Sequence, residues 1–406
     1  MLNIAFRRKE LNSLESNYEY ISERIRRIRN AHAIETDPSI RFKFEKQLQD
    51  VEEERDHAER DIERLEQEIE LLESGIIQPN QPLHERNPYR VGGGLIGNYV
   101  IRKKELRKIR NLVDTGQHVA IRGDRAIGKT TLLNQFCQEK SEEDRILVKL
   151  DGQRIRDIKD FVKRVTRKID KQVRIGRMDN FDEDDIEELL YDITASRKLI
   201  IVIDEFDQLT KKDFDKYFFD LLRSYGNDPA MNIVYIVASR TKLIDLPTLR
   251  KDQDISSPFF NIFNTIRMYP FTDPEIDELL ALAGDRIDLF PYRQELIDLG
   301  GHFPHFLQMA CWEYFDQLSH YGKVDRDRVR STFQDRTSDH FRYITERGFS
   351  AEEREMLYQL IKDGSIQQNY TSDQMIKRGY LINGKLFSVE FDPYLRQAWD
   401  LSSPQP

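Results

Sequence analysis

Two glycines, a lysine and a threonine within one octapeptide carry the most specific chemistry in the chain. Gly123-Asp124-Arg125-Ala126-Ile127-Gly128-Lys129-Thr130 fits the pattern G-x-x-x-x-G-K-[ST]. The apolar stretch Val119 to Ile121 precedes it and reads as a strand; Thr131 to Phe136 follows and reads as a helix. In that context such a loop wraps phosphate. Successive backbone N–H groups and the helix N-terminus form an anion nest. Gly123 and Gly128 supply backbone conformations that side chains would block. Lys129 is placed to reach the β- and γ-phosphates of a nucleoside triphosphate, and the Thr130 hydroxyl to bind Mg²⁺. The expected ligands are therefore ATP and Mg²⁺, held by Gly123, Asp124, Arg125, Ala126, Ile127, Gly128, Lys129, Thr130 and Thr131.

Phosphoryl transfer needs more than a cradle, and three further positions have the right chemistry. Leu199 to Ile203 is continuously apolar, as a strand covered on both faces would be, and ends in Asp204-Glu205. Asp204 is the expected Mg²⁺ residue beside Thr130, as a direct ligand or through a bound water. Glu205 can orient and deprotonate an attacking water; the plainer reading is that Asp-Glu only closes a buried strand. Asn232 to Ala238 is a second such strand and ends in Ser239-Arg240. Ser239 can sense the γ-phosphate and Arg240 can neutralise its charge. Alternatively, Arg240 or Arg125 simply pairs with a nearby carboxylate. Lys129, Glu205, Ser239 and Arg240 form the candidate catalytic set.

Strands must place these residues at one edge. Arg145 to Leu150 and Ile266 to Tyr269 read as further strands, and helical stretches alternate with them. The alternation predicts an α/β fold, a parallel sheet with right-handed crossovers and its site at the carboxyl ends of the strands. Thr272 or Asp273 can cap a helix with Pro274 in its first turn, opening a helical lid. Two arrangements of such a lid are open to bias by nucleotide. Two helices and a hairpin with an Asn383-Gly384 turn follow, which suggests a C-terminal winged-helix module. His302 and His305 stand three apart on an expected helix, without partners at metal-ligand spacing; packing or lid contact accounts for them.

The N-terminal segment is different. Leu11, Leu14, Tyr18, Ile21, Ile25 and Ile28 recur at spacings of three and four, and a second series runs from Phe44 to Ile76. This is an α-helical coiled-coil pattern, broken at Thr36-Asp37-Pro38, with Arg55 as a polar register position. Its two helices either fold back as a hairpin or pair with another subunit. The expected organisation is a coiled-coil arm over 1–78, a Pro/Gly-rich linker over 79–96, a phosphate-loop core over 97–270, the lid over 271–340 and the winged-helix-like module over 341–406.

Composition narrows the classes. The chain has 406 residues, 33% charged and 39% hydrophobic, with a net charge of −9, which disfavours a nucleic-acid coat protein but leaves room for a local basic groove. Ten basic residues between Arg154 and Arg177 are the candidate groove. The alternative is a solvated amphipathic helix with Ile158, Phe161, Val162, Val165 and Ile169 as its buried stripe. No apolar run suits membrane insertion, and Cys137 and Cys311 fit a reducing, cytoplasmic setting, a disulfide between them being the lesser reading.

Together these residues resemble the STAND branch of AAA+-type signal-transduction ATPases in its bacterial and archaeal form. Asn87-Pro88-Tyr89 and Tyr99-Val100-Ile101-Arg102-Lys103-Lys104-Glu105-Leu106 are similar to the family's N-P-F and F-V-G-R-x-x-E-L segments, with Ile101 where glycine is usual. Ile203 to Asp207 resembles its Walker B, and Val237 to Arg240 its sensor-1 strand ending. Gly300 to Gln308 resembles the G-x-P region of its lid, with one extra residue between His302 and Pro304. The resemblance implies that Pro304 packs near the base and that the winged helix contacts the ATPase core. It implies an ATP-binding and ATP-hydrolysing switch, coupling nucleotide state to self-association or partner docking through the coiled coil, in signalling or defence. The alternative is a DNA-binding AAA+ ATPase resembling replication initiators or transposition regulators.

Overall fold

The computed structural model describes residues 87–89, 99–138, 144–173, 183–212, 214–246 and 258–401, with single positions between 14 and 51. The chain divides into two compact units, 1–93 and 94–406. In the first, Ile21 and Val51 are buried together, and Ile28 and Leu48 pack against them. Residues from both apolar series of the N-terminal segment thus meet in one cluster. Arg55 and the seam beyond it lie outside the described residues. So does the linker, apart from Asn87-Pro88-Tyr89, where the Asn87 side chain accepts the Tyr89 N–H at 3.0 Å.

The second unit is built on a parallel sheet of β1 (His118–Arg122), β2 (Arg145–Asp151), β3 (Lys198–Asp204), β4 (Ile233–Ser239) and β5 (Phe263–Arg267), in the order β2-β3-β4-β1-β5. β3 and β4 are buried at nearly every position, which is why they read as unbroken apolar runs. β5 differs from expectation: it begins at Phe263, three residues before the predicted start. It is an edge strand paired only with β1. Its exposed Asn264 and Thr265 carry no apolar pattern, so the sequence conceals it.

Helices cover both faces. α1 (Lys103–Asp114) packs on β1, β5 and α2 (Lys129–Gln138), while α3 (Ile158–Val173) packs on β2 and on α4 (Glu183–Thr194). α5 (Lys216–Asn227) lies on β4, and Phe206, Phe214, Phe218, Phe219, Phe259 and Phe260 fill the core between them. α3 buries Phe161, Val162, Val165, Thr166 and Ile169. From Lys159 to Lys171 the basic run is thus on an amphipathic helix, with Arg164 paired to Asp160 at 2.9 Å, while Arg154 and Arg156 precede that helix and Arg154 pairs with Asp151.

Four helices follow: α6 (Asp273–Leu280), α7 (Arg293–Gly300), α8 (Pro304–Tyr321) and α9 (Arg326–Tyr343). Thr272 caps α6: the Glu275 carboxylate accepts both its N–H, at 2.8 Å, and its hydroxyl, at 2.9 Å. His302 is not helical, contrary to expectation. It precedes α8, and its Nδ1 lies 2.8 Å from the Phe271 carbonyl, whereas His305 is in the first turn of α8. The expected boundary at 340/341 also falls inside a continuous element, because α9 runs to Tyr343 and passes into a π turn at Ile344–Gly348.

The chain closes with α10 (Ala351–Asp363), α11 (Tyr370–Lys377), the two-residue strands β6 (Leu381–Ile382) and β7 (Lys385–Leu386), and α12 (Phe391–Ala398). The turn between the strands is Asn383-Gly384, with φ of 51° and 76°. Both central residues of a tight hairpin turn need positive φ, which Asn and Gly tolerate. Phe387 packs 4.8 Å from Phe303 of the lid, and Phe391 packs 5.0 Å from Phe341 of α9. The lid and the C-terminal elements therefore share one aromatic core. Cys137 and Cys311 are free thiols. No helix among the described residues is long and apolar enough to cross a membrane.

Candidate nucleotide site

The loop between β1 and α2 turns through two positive-φ residues, Ala126 at 69° and Gly128 at 91°. Only glycine adopts the second without strain. Lys129 opens α2 and is 7% exposed. Its ammonium donates to the carbonyls of Gly123 at 2.9 Å and Asp124 at 3.0 Å. Burial pushes the Lys129 pKa below its ordinary value, while Glu205 pulls the other way.

A cavity of about 200 Å³ opens above the loop, lined by residues 125–131, by Glu205 and Arg240 from the sheet edge, and by Pro304, His305 and Gln308 from α8. Pro304 is the first residue of α8, and the next backbone N–H, of His305, donates to the Ala126 carbonyl at 3.3 Å. The lid helix thus starts directly on the phosphate loop. His305 Nε2 stands 3.2 Å from His340 Nε2. Burial pushes His305 down to about 3 and His340 down to about 4, so both rings are neutral at physiological pH. Among the described residues no group of His, Cys, Asp and Glu could hold a metal by itself.

Asp204 ends β3, 6% exposed, and its carboxylate accepts the Glu205 N–H at 2.9 Å. Thr130 lines the cavity and Asp204 does not. One hydroxyl and one carboxylate suit a small divalent cation that takes its remaining ligands from substrate phosphate and water. Glu205 is left-handed, with φ 44°, and its Oε2 accepts from Arg240 Nη2 at 2.8 Å. The alternative of a local ion pair for Arg240 is thus realised, and its partner is the candidate base itself. Ser239 is buried, donates its hydroxyl to the Thr241 carbonyl at 2.9 Å, and does not line the cavity. Gly123 and Asp124 likewise stand outside the lining and serve as anchors for Lys129.

Gly152, the residue after β2, supports this edge: its N–H donates to the Asp204 carbonyl at 2.9 Å. A Cβ there would stand 2.5 Å from the Glu205 carbonyl oxygen and 2.9 Å from that of Asp204. Both are backbone atoms and cannot swing away. Gly152→Ala is expected to cost about 1–3 kcal/mol by overpacking, read as a lowered midpoint in chemical denaturation. An unchanged midpoint would show that β2 and β3 separate freely at this end.

Several site residues had no motif to announce them. Tyr343 of α9 accepts from Arg240 Nη1 and carries the Arg125 guanidinium 4.4 Å above its ring. Arg378, just past α11, holds the Asp124 carboxylate with two bonds of 2.8 and 3.0 Å, reaching 254 residues along the chain. Arg102 did have a signal, in the Tyr99–Leu106 segment. It is buried over Phe271, donates to both Glu275 oxygens at 3.1 and 3.2 Å and to the Tyr269 carbonyl at 2.9 Å, and so ties the core to the cap of α6.

Comparison with known proteins identifies the family. The family described as novel STAND NTPase 2 matches residues 119–365, from β1 through the lid into the C-terminal helices. No curated protein matches. Among solved structures, the chain is similar to a Walker-type ATPase of Pyrococcus abyssi at 16% identity and a TM-score of 0.49, covering 73% of this chain and 96% of that one. It is also similar to Cdc6p from Pyrobaculum aerophilum, at 13% identity and a TM-score of 0.45 over 78% and 85% of the two chains. The Aeropyrum pernix Orc1 protein in complex with DNA gives 11% identity and a TM-score of 0.40 over 74% and 93%. With its phosphate loop, its acidic β3 end and a family match over more than half of its length, the chain belongs to the novel STAND NTPase 2 family of P-loop NTPases.

Proposed function

We propose that this chain is an ATP-hydrolysing molecular switch of the cytoplasm, whose nucleotide state governs assembly or partner docking through the N-terminal coiled coil in signalling or defence. One observation carries the nucleotide reading. A buried ammonium, that of Lys129, lies at the mouth of a helix with two loop carbonyls as its hydrogen-bond acceptors, beneath a cavity that Arg125 and Arg240 also face. Concentrated positive charge at a helix N-terminus favours a polyanion.

In this reading Lys129 exchanges its loop carbonyls for phosphate oxygens. Thr130 and Asp204 would hold Mg²⁺, which supplies charge neutralisation at the phosphates. Glu205 takes the proton of the attacking water, and Arg240 answers the charge of the γ-phosphate. The lid supplies Pro304, His305 and Gln308 around the base and sugar. The C-terminal helices and hairpin act as a winged-helix-like module held on the core; the Arg378–Asp124 pair supports this. The apolar series that continues in the sequence to Ile76 is the proposed surface for a partner.

The test is calorimetry with ATP and Mg²⁺. Wild type is expected to bind, and Lys129→Ala to lose about a hundredfold or more in affinity, since a desolvated charge-assisted contact disappears. Equal affinity in the two proteins would overturn the assignment of the loop.

A further inference from the structure

Arg240 is held in an arrangement that leaves one of its groups unsatisfied. Its Nη2 is on Glu205 and its Nη1 on the Tyr343 hydroxyl, while its Nε is buried without a hydrogen-bond partner. Such an orphan costs free energy, and an anion arriving in the cavity would relieve it. Tyr343 is well placed to resist that arrival. It is the last residue of α9, just before the π turn Ile344–Gly348, and π turns concentrate at functional positions. Its ring is also flanked by cations: the Arg125, Arg240 and Arg347 guanidinium carbons lie 4.4, 5.1 and 5.9 Å from its centroid. The ring face attracts these cations, while the hydroxyl alone fixes Arg240 by a directed bond.

We propose that Tyr343 sets the preference of the site between nucleoside triphosphate and diphosphate, by parking Arg240 on Glu205. This rests on the reading of the cavity as a nucleotide site. A diphosphate lacks the γ-phosphate that Arg240 would meet, so it binds with Arg240 parked. A triphosphate draws Arg240 away and must break its bond to Tyr343. Triphosphate affinity is therefore reduced by the fraction of molecules in which Arg240 is free, and the Tyr343 hydroxyl keeps that fraction small. The parked guanidinium also keeps one oxygen of Glu205 occupied, through Nη2, until a triphosphate is present. Tyr343 is a positioning residue: it acts through Arg240.

Tyr343→Phe keeps the ring for Arg125 and Arg347 and removes the hydroxyl. Affinities for Mg·ATP and Mg·ADP are measured by calorimetry in the full chain, with Glu205→Gln as a second background to prevent turnover. ATP binding is expected to tighten about tenfold, the worth of a hydrogen bond to a charged group, with ADP binding unchanged within about twofold. In Arg240→Ala the added Tyr343→Phe change is expected to leave both affinities alone. Tyr343→Ala, which also removes the ring, serves as the structural control and is expected to weaken both nucleotides. An ATP-to-ADP ratio unchanged by Tyr343→Phe, or a ratio that shifts equally without Arg240, overturns the proposal while the nucleotide site stands. Failure of the wild type to bind either nucleotide overturns both.

Discussion

Glu205→Gln is expected to lower ATP turnover by about 10²- to 10³-fold while ATP binding is kept or tightened, because a neutral amide holds Arg240 less firmly than the carboxylate does. The magnitude is that of removing a positioned general base. The substitution is nearly isosteric, so the geometry at the end of β3 should survive. Glu205 sits in the left-handed region, capped by the Asp204 carboxylate through its own N–H and backed by Gly152. An amide in place of the carboxylate alters none of those backbone contacts. It can still accept from Arg240 Nη2 through its carbonyl oxygen, but it cannot take a proton from water. Phosphate release at saturating ATP, set beside calorimetric binding of ATP, separates the two effects. If turnover persists at the wild-type rate, Glu205 is only the counter-ion of Arg240, and the proton must leave by another route.

The phosphate loop was legible because its chemistry is contiguous. Eight adjacent residues specify the turn, the ammonium and the hydroxyl, and Lys129 stands at the helix start that the pattern implies. β3 and β4 were legible for a different reason: burial on both faces writes an unbroken apolar run into the sequence. β5 is paired on one side only and half exposed, so that signal is missing and its start was misplaced. The sequence places His302 on a helix because nothing in it shows that α8 starts only at Pro304, with Phe303 as its cap; the ring instead turns back to the Phe271 carbonyl. Ser239 has the right type at the right strand end, yet its hydroxyl goes to Thr241, a rotamer choice invisible in sequence. Tyr343 and Arg378 are the clearest omissions. Each is an ordinary surface-type residue by composition and becomes part of the site because the lid and the C-terminal elements fold back over the core through the Phe303, Phe341 and Phe387 cluster. Long-range placement of this kind has no local period to detect.

Arg378→Ala is expected to destabilise the second unit by about 2–4 kcal/mol, the scale for breaking one side of a buried ion pair, reduced because Asp124 is partly exposed. Arg378 donates to both Asp124 oxygens, to the Glu353 carboxylate and to the Gly348 carbonyl at 2.8 Å, and lies 5.0 Å from the Tyr380 ring centroid. Burial alone would lower its pKa; the Asp124 carboxylate outweighs this and holds it above the ordinary value. Removing the guanidinium leaves two carboxylates, Asp124 and Glu353, facing a shared vacancy without their cation. Arg378→Lys should recover little, because an ammonium cannot reproduce two parallel bonds to Asp124 while also reaching Glu353 and Gly348. Asp124→Asn in the Arg378→Ala background should regain part of the loss by removing one stranded charge, and that non-additivity is the signature of direct coupling. The two tryptophans report the outcome in different places. Trp312 lies in α8 beneath the Arg336 guanidinium, and Trp399 follows α12 beside Tyr358. Denaturation followed by each tryptophan in turn should show Trp399 released at lower denaturant in Arg378→Ala than in wild type. If both signals keep their wild-type midpoints, the Arg378 contacts contribute no net stability, and the aromatic core alone holds the C-terminal elements on the phosphate loop.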